Sequence, residues 1–444
     1  MNDTMIGYRA VVLGASVAGL LSARVLSDAY AQVTVVERDK LPETNAPRQG
    51  VPQGRHIHGL MARGQQVLEE LFPGFTEDLM AQGVPLMDQA GHARLYMSGH
   101  RLMPSESGIT VLSASRPCLE GYLRARVRTL PGVTFADCRD VVGIATTPDR
   151  NRVTGARVIR RADGSTEETL DADLVVDATG RGSRTPLWLD GLGYGRPTEE
   201  KFSIGVGYAS GTFRLAPGTL GRDLAIINAP TSAHPRGGGL SALEGDRYIV
   251  TLMGILGDHP PTDHPGFLGF AKSMQFPDIY DAIRDAEPLD APVSYRFPAS
   301  VRHRYERLPR LPDGLVVTGD AVCSFNPIYG QGMSVAALEA LALQRHLTRG
   351  RQPRTRKVMG DIARAVDLPW DMAAGGDLAF PGVEGNRNAK VRLGNAYLPR
   401  LHAAAAHDAK LAVAFLRVAG MLARPATLFQ PDIVLRVLRQ SLTP

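Results

Sequence analysis

Two positions early in the chain have the residue types and spacing of a dinucleotide site. Residues 14–19 form a glycine turn, Gly14 to Gly19, directly after the apolar run 10–13. Such a turn lets backbone N–H groups at a helix N-terminus approach a pyrophosphate. Ser16 replaces the usual middle glycine, and its hydroxyl is a candidate donor to a phosphate. Glu37 ends a second apolar run, where a carboxylate can accept from ribose hydroxyls. The alternative is a purely structural strand–helix–strand turn.

A second group with ligand-binding chemistry lies late in the chain, at residues 319–333. Asp320 follows the apolar run 315–318 and can bind sugar-like hydroxyls, whereas Pro327 keeps its segment extended and lacks an N–H. Gly330 and Gly332 let the backbone approach a ligand. The helix that begins here would present its positive end to an anion.

Arginines and histidines form a third group. Arg55, His56 and His58 lie in the loop after Glu37, where they can reach a phosphate or a ring edge. The two histidines alternate as metal ligands on a strand do, but no third ligand stands at a recognisable spacing, so no metal site is predicted. For His58 the alternative is a loop residue bonded to backbone. Arg116 opens a predicted helix and is either a phosphate contact or a solvated residue.

The elements that must position these groups predict an α/β fold. Residues 8–37 have the pattern strand, glycine turn, helix, strand, and the strands predicted between 133 and 176 lead into a second glycine turn at 177–184. Residues 201–307 have the pattern of antiparallel strands interrupted by a helical piece at 267–285. The tail, 351–444, contains predicted helices, including 409–422 and 431–442. An inserted sheet between two parts of a nucleotide-binding unit is a natural substrate platform.

Composition excludes several classes of protein. The chain has 444 residues, is 44% hydrophobic and carries a formal net charge of +5, without a basic tract interleaved with aromatics, so no nucleic-acid partner is predicted. Cys118, Cys138 and Cys323 are too few and too widely spaced for a disulfide framework, which suits a reducing cytoplasm. Because no run reaches 18 apolar residues, no stable membrane insertion is expected. The oligomeric state is left open.

In the order of these pieces, the chain resembles the group A flavoprotein monooxygenases, which share the para-hydroxybenzoate hydroxylase fold. The resemblance covers roughly residues 8–350 and includes the strand and turn at 173–184. More narrowly, the segments 50–60, 177–184 and 326–333 are similar to bacterial epoxidases of polyether polyketide biosynthesis and related tailoring enzymes of antibiotic pathways.

This resemblance implies a fold and a division of the chain. The fold is an FAD-binding Rossmann-like domain of the glutathione reductase type, with an inserted antiparallel substrate sheet and C-terminal helices. The implied segments are an FAD-binding part at 1–83, a first substrate segment at 84–112, a second FAD-binding part at 113–200, the substrate domain at 201–308, a third FAD-binding part at 309–350 and a helical region at 351–444.

Carried over residue by residue, the resemblance also implies the contacts of FAD. The pyrophosphate would be contacted by Gly14, Ser16, Ala18 and Gly19, and the adenosine by Glu37 and Arg38. The phosphates or ribityl chain would be contacted by Arg55 and Arg116, and the ribityl hydroxyls by Asp320. The isoalloxazine would be contacted by Pro327, Gly330, Gly332 and Met333. The family's second fingerprint usually has Asp-Gly where this chain has Thr179-Gly180. Electrons come from NADPH or NADH, directly or through a separate flavin reductase.

The implied reaction is oxygen transfer from O2 to a hydrophobic small molecule through a C4a-hydroperoxyflavin, with epoxidation of a polyketide-type alkene favoured. Epoxidation needs no protein nucleophile, so the catalytic residues are left unassigned, with Pro327, Gly332 and His58 as candidates at the flavin face. Hydroxylation of an aromatic or terpenoid substrate is an alternative, and His58 would then assist deprotonation of a phenol. A flavin-dependent reductase of prenyl double bonds, a flavin halogenase and a flavin-binding protein without turnover are further alternatives. The halogenase's paired-tryptophan segment is missing here.

Overall fold

The computed structural model describes residues 5–350 and 352–441. The predicted segment limits at residues 1, 351 and 444 and the predicted helix end at residue 442 lie outside this range. The helices are α1 (Val17–Leu26), α2 (Ala62–Leu71), α3 (Phe75–Ala81), α4 (Arg116–Arg128), α5 (Thr185–Gly191), α6 (His264–Lys272), α7 (Asp278–Ile283), α8 (Gly332–Leu347), α9 (Thr355–Asp377), α10 (Ala389–Ala405), α11 (Ala409–Ala419) and α12 (Pro431–Ser441).

The strands follow the same numbering along the chain. They are β1 (Gly7–Leu13), β2 (Tyr30–Val36), β3 (Leu86–Asp88), β4 (Ala93–Met97), β5 (His100–Arg101), β6 (Thr110–Leu112), β7 (Val133–Ala136), β8 (Arg139–Thr146), β9 (Val153–Arg160), β10 (Glu167–Asp171), β11 (Leu174–Asp177), β12 (Thr198–Phe202), β13 (Val206–Arg214), β14 (Ala225–Asn228), β15 (Arg236–Leu243), β16 (Arg247–Gly254), β17 (Glu287–Pro288), β18 (Val293–Phe297), β19 (Ser300–Arg304), β20 (Leu315–Val317) and β21 (Cys323–Ser324).

A five-stranded parallel sheet in the order β20-β11-β1-β2-β7 forms the nucleotide-binding part. Val11 of β1 pairs with Val175 of β11, and Val12 pairs with Val35 of β2. These residues are buried because β1 and β11 pack against α1 and against the three-stranded sheet β10-β9-β8, which explains the continuous apolar runs. The carboxyl ends of parallel strands meet at one edge, so the loops after β1, β11 and β20 come together there. The predicted α/β fold is confirmed.

The inserted sheet, called the substrate sheet below after the role predicted for it, has eight strands and is antiparallel except for the parallel pair β14 and β4. In β13, Tyr208 lies opposite Met253 and Ser210 lies opposite Thr251 of β16, whereas β18 brings Tyr295 opposite Tyr208. Because side chains alternate along a strand, these five residues share one face. The other face packs on α6 and α7 in a separate apolar cluster.

The helical piece predicted at 267–285 is two helices, α6 and α7, rather than one. Pro277 immediately precedes α7, and a proline N atom cannot donate the hydrogen bond that would continue the first helix. The predicted helix 409–422 ends at Ala419, because Gly420 caps it. The predicted helix start at residue 431 is correct.

The C-terminal helices α10 and α11 pack against the substrate segment at residues 84–112. Leu401, Leu411 and Leu416 of α10 and α11 pack with Leu95 and Leu102 of the substrate segment in one buried cluster. Among residues 5–350 and 352–441, no helix combines the length and the apolar character that a membrane span requires.

Candidate functional site

A single cavity of about 2440 Å³ runs from the carboxyl edge of the parallel sheet to the C-terminal helices. Its walls include the loops after β1, β11 and β20 and the shared face of the substrate sheet. Pockets for one drug-sized ligand hold roughly 300–1,000 Å³, so this cavity has room for a dinucleotide and a second molecule. Ligands of open α/β sheets bind at this edge.

The glycine turn after β1 leaves bare backbone at the cavity wall. Gly14 has φ +100°, and a Cβ there would lie 2.5 Å from the carbonyl oxygen of Ala178. A Cβ on Gly19 would overlap the carbonyl oxygen of Gly14. Ser16 precedes α1 without capping it, and the first turn of α1 carries no acidic residue. The first N–H groups of α1 are therefore available to an anion at the cavity wall.

Glu37 and Ser16 belong to a buried network of charges. The Ala15 N–H donates to Glu37 Oε2 at 2.8 Å, and Arg48 Nη1 lies 2.9 Å from the same oxygen. Arg48 also reaches Glu120 at 2.6 Å, and Glu120 accepts from the Ser16 hydroxyl at 2.9 Å. Burial alone would raise the pKa of Glu120, but Arg116 and Arg48 hold it below its ordinary value.

Arg116, at the start of α4, joins this network at the cavity wall. Its Nη2 donates to the Ser16 hydroxyl at 2.7 Å and lies 3.4 Å from Glu120. Sequence reasoning missed Arg48 and Glu120. Glu120 lies one helical turn after Arg116, which is a readable signal, whereas Arg48 sits in an irregular Pro- and Gly-rich segment without one.

Two predicted cofactor arginines, Arg55 and Arg38, lie outside the buried charge network. Arg55 is exposed and is not among the residues that line the cavity. Its one-turn helix, Pro52–Arg55, directs the chain so that His56 rather than Arg55 is buried. The structure therefore does not bring Arg55 to the cavity with the other predicted residues, whereas Arg48 lines it. Arg38 borders the cavity at its rim, with its side chain 61% exposed.

The second glycine turn, after β11, is held by its own hydrogen bonds. Asp177 is fully buried and accepts from the Thr179 N–H at 2.9 Å and the Thr179 hydroxyl at 2.6 Å. The Ser183 hydroxyl also donates to Asp177, at 2.5 Å. Thr179, where the resembled family usually has Asp, thus fixes the turn that brings Gly180 to the cavity.

The loop after β20 brings Asp320 to the cavity beside this turn. Gly319 has φ +64°, and a Cβ there would lie 2.7 Å from the Ala18 side chain. Glu339 of α8, another residue that the sequence did not reveal, accepts from the Gly319 N–H at 2.5 Å. Burial raises the pKa of Asp320, while Arg116 and Arg181 oppose that rise.

The loop from Asn326 to Gly330 is anchored by Asp377, at the end of α9. Asp377 Oδ1 accepts from Asn326 Nδ2 at 2.8 Å and from the Tyr329 hydroxyl at 3.0 Å. Burial raises the pKa of Asp377 to about 6. Pro327 is exposed towards the cavity, and Gly330 has φ +63° with its Cα close to Gly59. Sequence reasoning did not identify Asp377, which lies in the helical tail.

The start of α8, at Gln331 and Gly332, leaves an open space at the cavity wall, called the cradle below. Gly332, its first residue, lines the cavity, and a Cβ there would meet no protein atom within 4 Å. The neighbouring Gln331 is 4% exposed, and its side-chain oxygen has no hydrogen-bond partner among the described residues. Met333 is buried behind it. A bare helix N-terminus beside an unused acceptor suits a planar ring that carries N–H and C=O groups, so these residues fit an isoalloxazine.

His58 lines the cavity as an uncharged side chain. A carbonyl oxygen only accepts, so His58 Nδ1, 2.9 Å from the His56 carbonyl, must carry the hydrogen. Burial, and secondly the charge of Arg116, lowers the pKa of His58 to about 3. A base this weak takes a phenol proton poorly near pH 7, so the backbone-bonded alternative describes His58 better than the catalytic one.

Known proteins share much of this sequence. The family model described as an FAD binding domain matches residues 8–352. Protein Rv3254 of Mycobacterium tuberculosis is 39% identical over 397 residues, covering 84% of this chain and 80% of that protein. Kynurenine 3-monooxygenase of Salinispora arenicola is 29% identical over 367 residues, covering 77% and 72%.

Solved structures share the fold. A structure of the flavin-dependent brominase Bmp2 with three substitutions superposes with a TM-score of 0.68 at 15% identity, covering 97% of this chain and 100% of that one. This likeness extends over the substrate sheet and the C-terminal helices as well as the nucleotide-binding part.

Proposed function

The chain is an enzyme of the FAD-dependent monooxygenase family, with FAD as its cofactor, and we propose that it epoxidises a carbon–carbon double bond of a hydrophobic, polyketide-type natural product. Reduced FAD supplies the chemistry that activates O2 and transfers one of its oxygen atoms. NADPH or NADH, directly or through a flavin reductase, is the proposed electron source. The remaining tasks fall to the chain's own residues.

We propose that cofactor binding is divided between the early and late loops. The pyrophosphate is bound by Gly14, Ser16, Ala18, Gly19 and Arg116, and the adenosine by Glu37 and Arg38. The ribityl chain is bound by Asp320, and the ring by Pro327, Gly330, Gly332 and Met333. Arg48 takes the place first given to Arg55, because it is buried at the cavity wall and pairs with Glu37.

The positive end of α8 has an electrostatic role in this proposal. A helix N-terminus carries about half a positive charge, and Gly332 exposes it without a side chain in front. Negative charge on a ring placed there is stabilised by a dipole that is already oriented. The surrounding apolar walls exclude water from the reacting atoms.

The size and character of the cavity support a large apolar substrate. Beyond the cradle at Gly332 the walls are mainly apolar side chains of the substrate sheet and of α10 and α11. They include Leu95, Met97, Ile227, Met253, Phe297, Leu398 and Phe415. The observation that favours epoxidation over phenol hydroxylation is the state of His58, because the side chain available as a base is neutral and weakly basic.

Aromatic hydroxylation is the second candidate. It is favoured by the sequence relative named kynurenine 3-monooxygenase and by the Tyr329–Asp377 hydrogen bond at the cavity wall, which provides titratable groups near the ring cradle. A terpenoid hydroxylase and a reductase of prenyl double bonds differ from these candidates in their products.

Product analysis tests the proposal. The FAD-loaded protein is supplied with NADPH, a flavin reductase, O2 labelled with heavy oxygen, and either a hydrophobic polyene or a phenol of similar size. We expect substrate-dependent oxygen consumption and one labelled oxygen in an epoxide of the polyene. A labelled catechol formed from the phenol alone would favour the aromatic alternative. A product with two added hydrogens and no label would contradict oxygen transfer altogether.

A further inference from the structure

A chain of three hydrogen-bonding side chains links the substrate sheet to the loop that carries His56. The Ile57 N–H donates to the Thr251 hydroxyl at 2.9 Å. The Thr251 and Ser210 hydroxyls lie 2.6 Å apart, and Ser210 Oγ lies 2.7 Å from His56 Nδ1. Thr251 is 1% and Ser210 is 2% exposed, so water does not share in these bonds.

The donor and acceptor roles in this series of hydrogen bonds follow from its first member, the Ile57 N–H. Because the Ile57 N–H can only donate, the Thr251 oxygen accepts there. Among residues 5–350 and 352–441, the acceptor within reach of the Thr251 hydroxyl hydrogen is Ser210. Ser210 then donates to His56 Nδ1. The reverse direction would leave the buried Thr251 hydroxyl hydrogen without an acceptor, which is unfavourable. His56 Nδ1 is therefore the bare nitrogen, and the hydrogen of the neutral ring is on Nε2.

His56 is placed to offer this hydrogen to a ligand. The side chain lines the cavity, and Nε2 has no hydrogen-bond partner among the described residues. The rings of Tyr208 and Tyr295 flank it, with centroids at 6.0 Å and 5.6 Å. The Tyr208 hydroxyl is also buried and lacks a partner there. Burial lowers the pKa of His56 to about 4, so the ring is uncharged near neutral pH.

We propose that His56 Nε2–H, with Tyr208 O–H as a second donor, binds a carbonyl oxygen of the substrate. A carbonyl oxygen accepts two hydrogen bonds and has no hydrogen of its own to satisfy, which matches two neutral donors in an apolar wall. The side chains in contact with His56, those of Ser210, Tyr208 and Tyr295, are all uncharged, and the guanidinium of Arg181 faces the Tyr295 hydroxyl and the Phe297 ring. A carboxylate or phosphate would lose its hydration there without a direct ion pair. The substrate class is thus an apolar molecule with a ketone or enone, and this inference rests on the proposed function.

The tautomer is tested directly by nitrogen NMR of the FAD-loaded protein labelled with ¹⁵N-histidine. We expect His56 to have a protonated Nε2 and a bare Nδ1, and His58 to have the opposite pattern. The His56 signals are assigned by their loss in His56→Phe. A His56 ring with its hydrogen on Nδ1, or a doubly protonated ring at pH 7.5, would overturn the proposal.

Ligand binding is tested with β-ionone, an enone attached to a cyclohexene ring, and with its hydrocarbon analogue in which the carbonyl is replaced by CH₂. Binding is followed by the change in flavin absorbance of the oxidised holoenzyme without an electron donor, so no turnover is involved. We expect His56→Phe and Thr251→Val to weaken β-ionone binding about tenfold, the loss of one buried hydrogen bond, with no effect on the hydrocarbon.

Thr251→Ser is the matched control, because it keeps the hydroxyl that sets the direction of the chain, and it should retain the wild-type preference for β-ionone. Equal binding of both probes by the wild-type protein, or an equal loss of both in Thr251→Val, would refute the carbonyl site. These results do not depend on oxygen transfer. A protein that forms epoxides without this preference would refute the inference and leave the proposed function standing.

Discussion

Two groups of buried polar side chains at the cavity differ in charge: the group around Ser16, the charged end, contains carboxylates and guanidinium groups, whereas the group bonded to His56, the neutral end, does not. Around Ser16, the carboxylates of Glu37 and Glu120 pair with the guanidinium groups of Arg48 and Arg116. Around His56, the buried polar atoms are paired with one another through the hydroxyl groups of Ser210 and Thr251 and an uncharged imidazole.

This difference matches the ligands proposed for the two ends. A pyrophosphate brings negative charge, so its end needs arginines that are held in place and partly neutralised by carboxylates. A substrate with a carbonyl brings only a dipole, and neutral donors suffice. Removing one member of a charged network leaves an uncompensated buried charge, whereas removing one neutral donor costs a single hydrogen bond. We therefore expect the loss of a charged member of the network around Ser16 to have a larger effect than the loss of a neutral side chain.

Replacing Glu120 with Ala should have the largest effect on stability. Arg48 and Arg116 would lose a buried partner at 2.6 and 3.4 Å, and breaking such a pair typically costs about 3–5 kcal/mol. The measurement is chemical denaturation of the apoprotein together with the FAD content after purification.

Asp28→Ala is the control for the Glu120 prediction, because Asp28 pairs with Arg24 at 2.7 Å but is 53% exposed, and such pairs contribute less than about 1 kcal/mol. Equal losses of stability in the two variants would contradict the view that the buried network determines the properties of the charged end.

Asp377→Asn should stabilise the protein in a pH-dependent manner. Burial raises the pKa of Asp377 from 3.8 to about 6, so the protonated form is favoured by folding. This stability is fully present below pH 3.8 and is lost as the pH rises through about 6. The variant keeps an oxygen for Asn326 and Tyr329 but carries no buried charge. It should exceed the wild type by up to about 3 kcal/mol at pH 8.

The Asp377 prediction is measured as the free energy of unfolding of wild type and variant from pH 4.5 to 8. The difference between the two proteins should shrink as the pH falls towards 4.5. A constant difference over this range would show that Asp377 does not titrate in the folded protein near pH 6.

Gly332→Val should separate cofactor binding from folding. A side chain at this position meets no protein atom within 4 Å but enters the cradle at the start of α8. We expect FAD affinity to fall at least about tenfold, which is about 1.4 kcal/mol. The unfolding free energy of the apoprotein should change by less than about 1 kcal/mol.

Gly360→Val provides the comparison for Gly332→Val. Gly360 lies in α9, also has open space around it, and does not line the cavity. This variant should bind FAD like the wild type. If Gly332→Val were purified as yellow as wild type, the ring would have to lie elsewhere.

The sequence predicted the charged end better than the neutral one for a physical reason. Gly14, Gly19 and Asp320 stand at fixed distances from strand ends, and backbone geometry gives such positions a readable pattern. Arg48 lies in an irregular loop, and Asp377 reaches the ring cradle from a helix far along the chain. The partners of His56 are an ordinary serine and threonine on two strands, and only their register across the sheet gives them a role. Arg55 was predicted instead of Arg48 because the sequence does not reveal which loop arginine is buried.

Ser16→Gly should have the smallest effect and tests how Ser16 contributes to the charged end. The Ser16 hydroxyl accepts from Arg116 and donates to Glu120, so it links charges that also contact each other directly. Losing this link costs about 0.5–1.5 kcal/mol, and a glycine restores the space for a closer approach of the pyrophosphate. The net change in FAD affinity should therefore stay below about 1 kcal/mol.

Ser16→Ala removes the same hydroxyl without providing that space, so titration of the apoprotein with FAD should give weaker binding for Ala than for Gly. Colourless Ser16→Gly protein would mean that the hydroxyl itself binds a phosphate. Equal affinities of the two variants would mean that the missing glycine is irrelevant and that the network alone positions the helix N-terminus. The first result would make Ser16 a direct ligand of the phosphate. The second would make it only a spacer that holds the charges of Arg116 and Glu120 in place. Either role alone would change how the charged end differs from the neutral one.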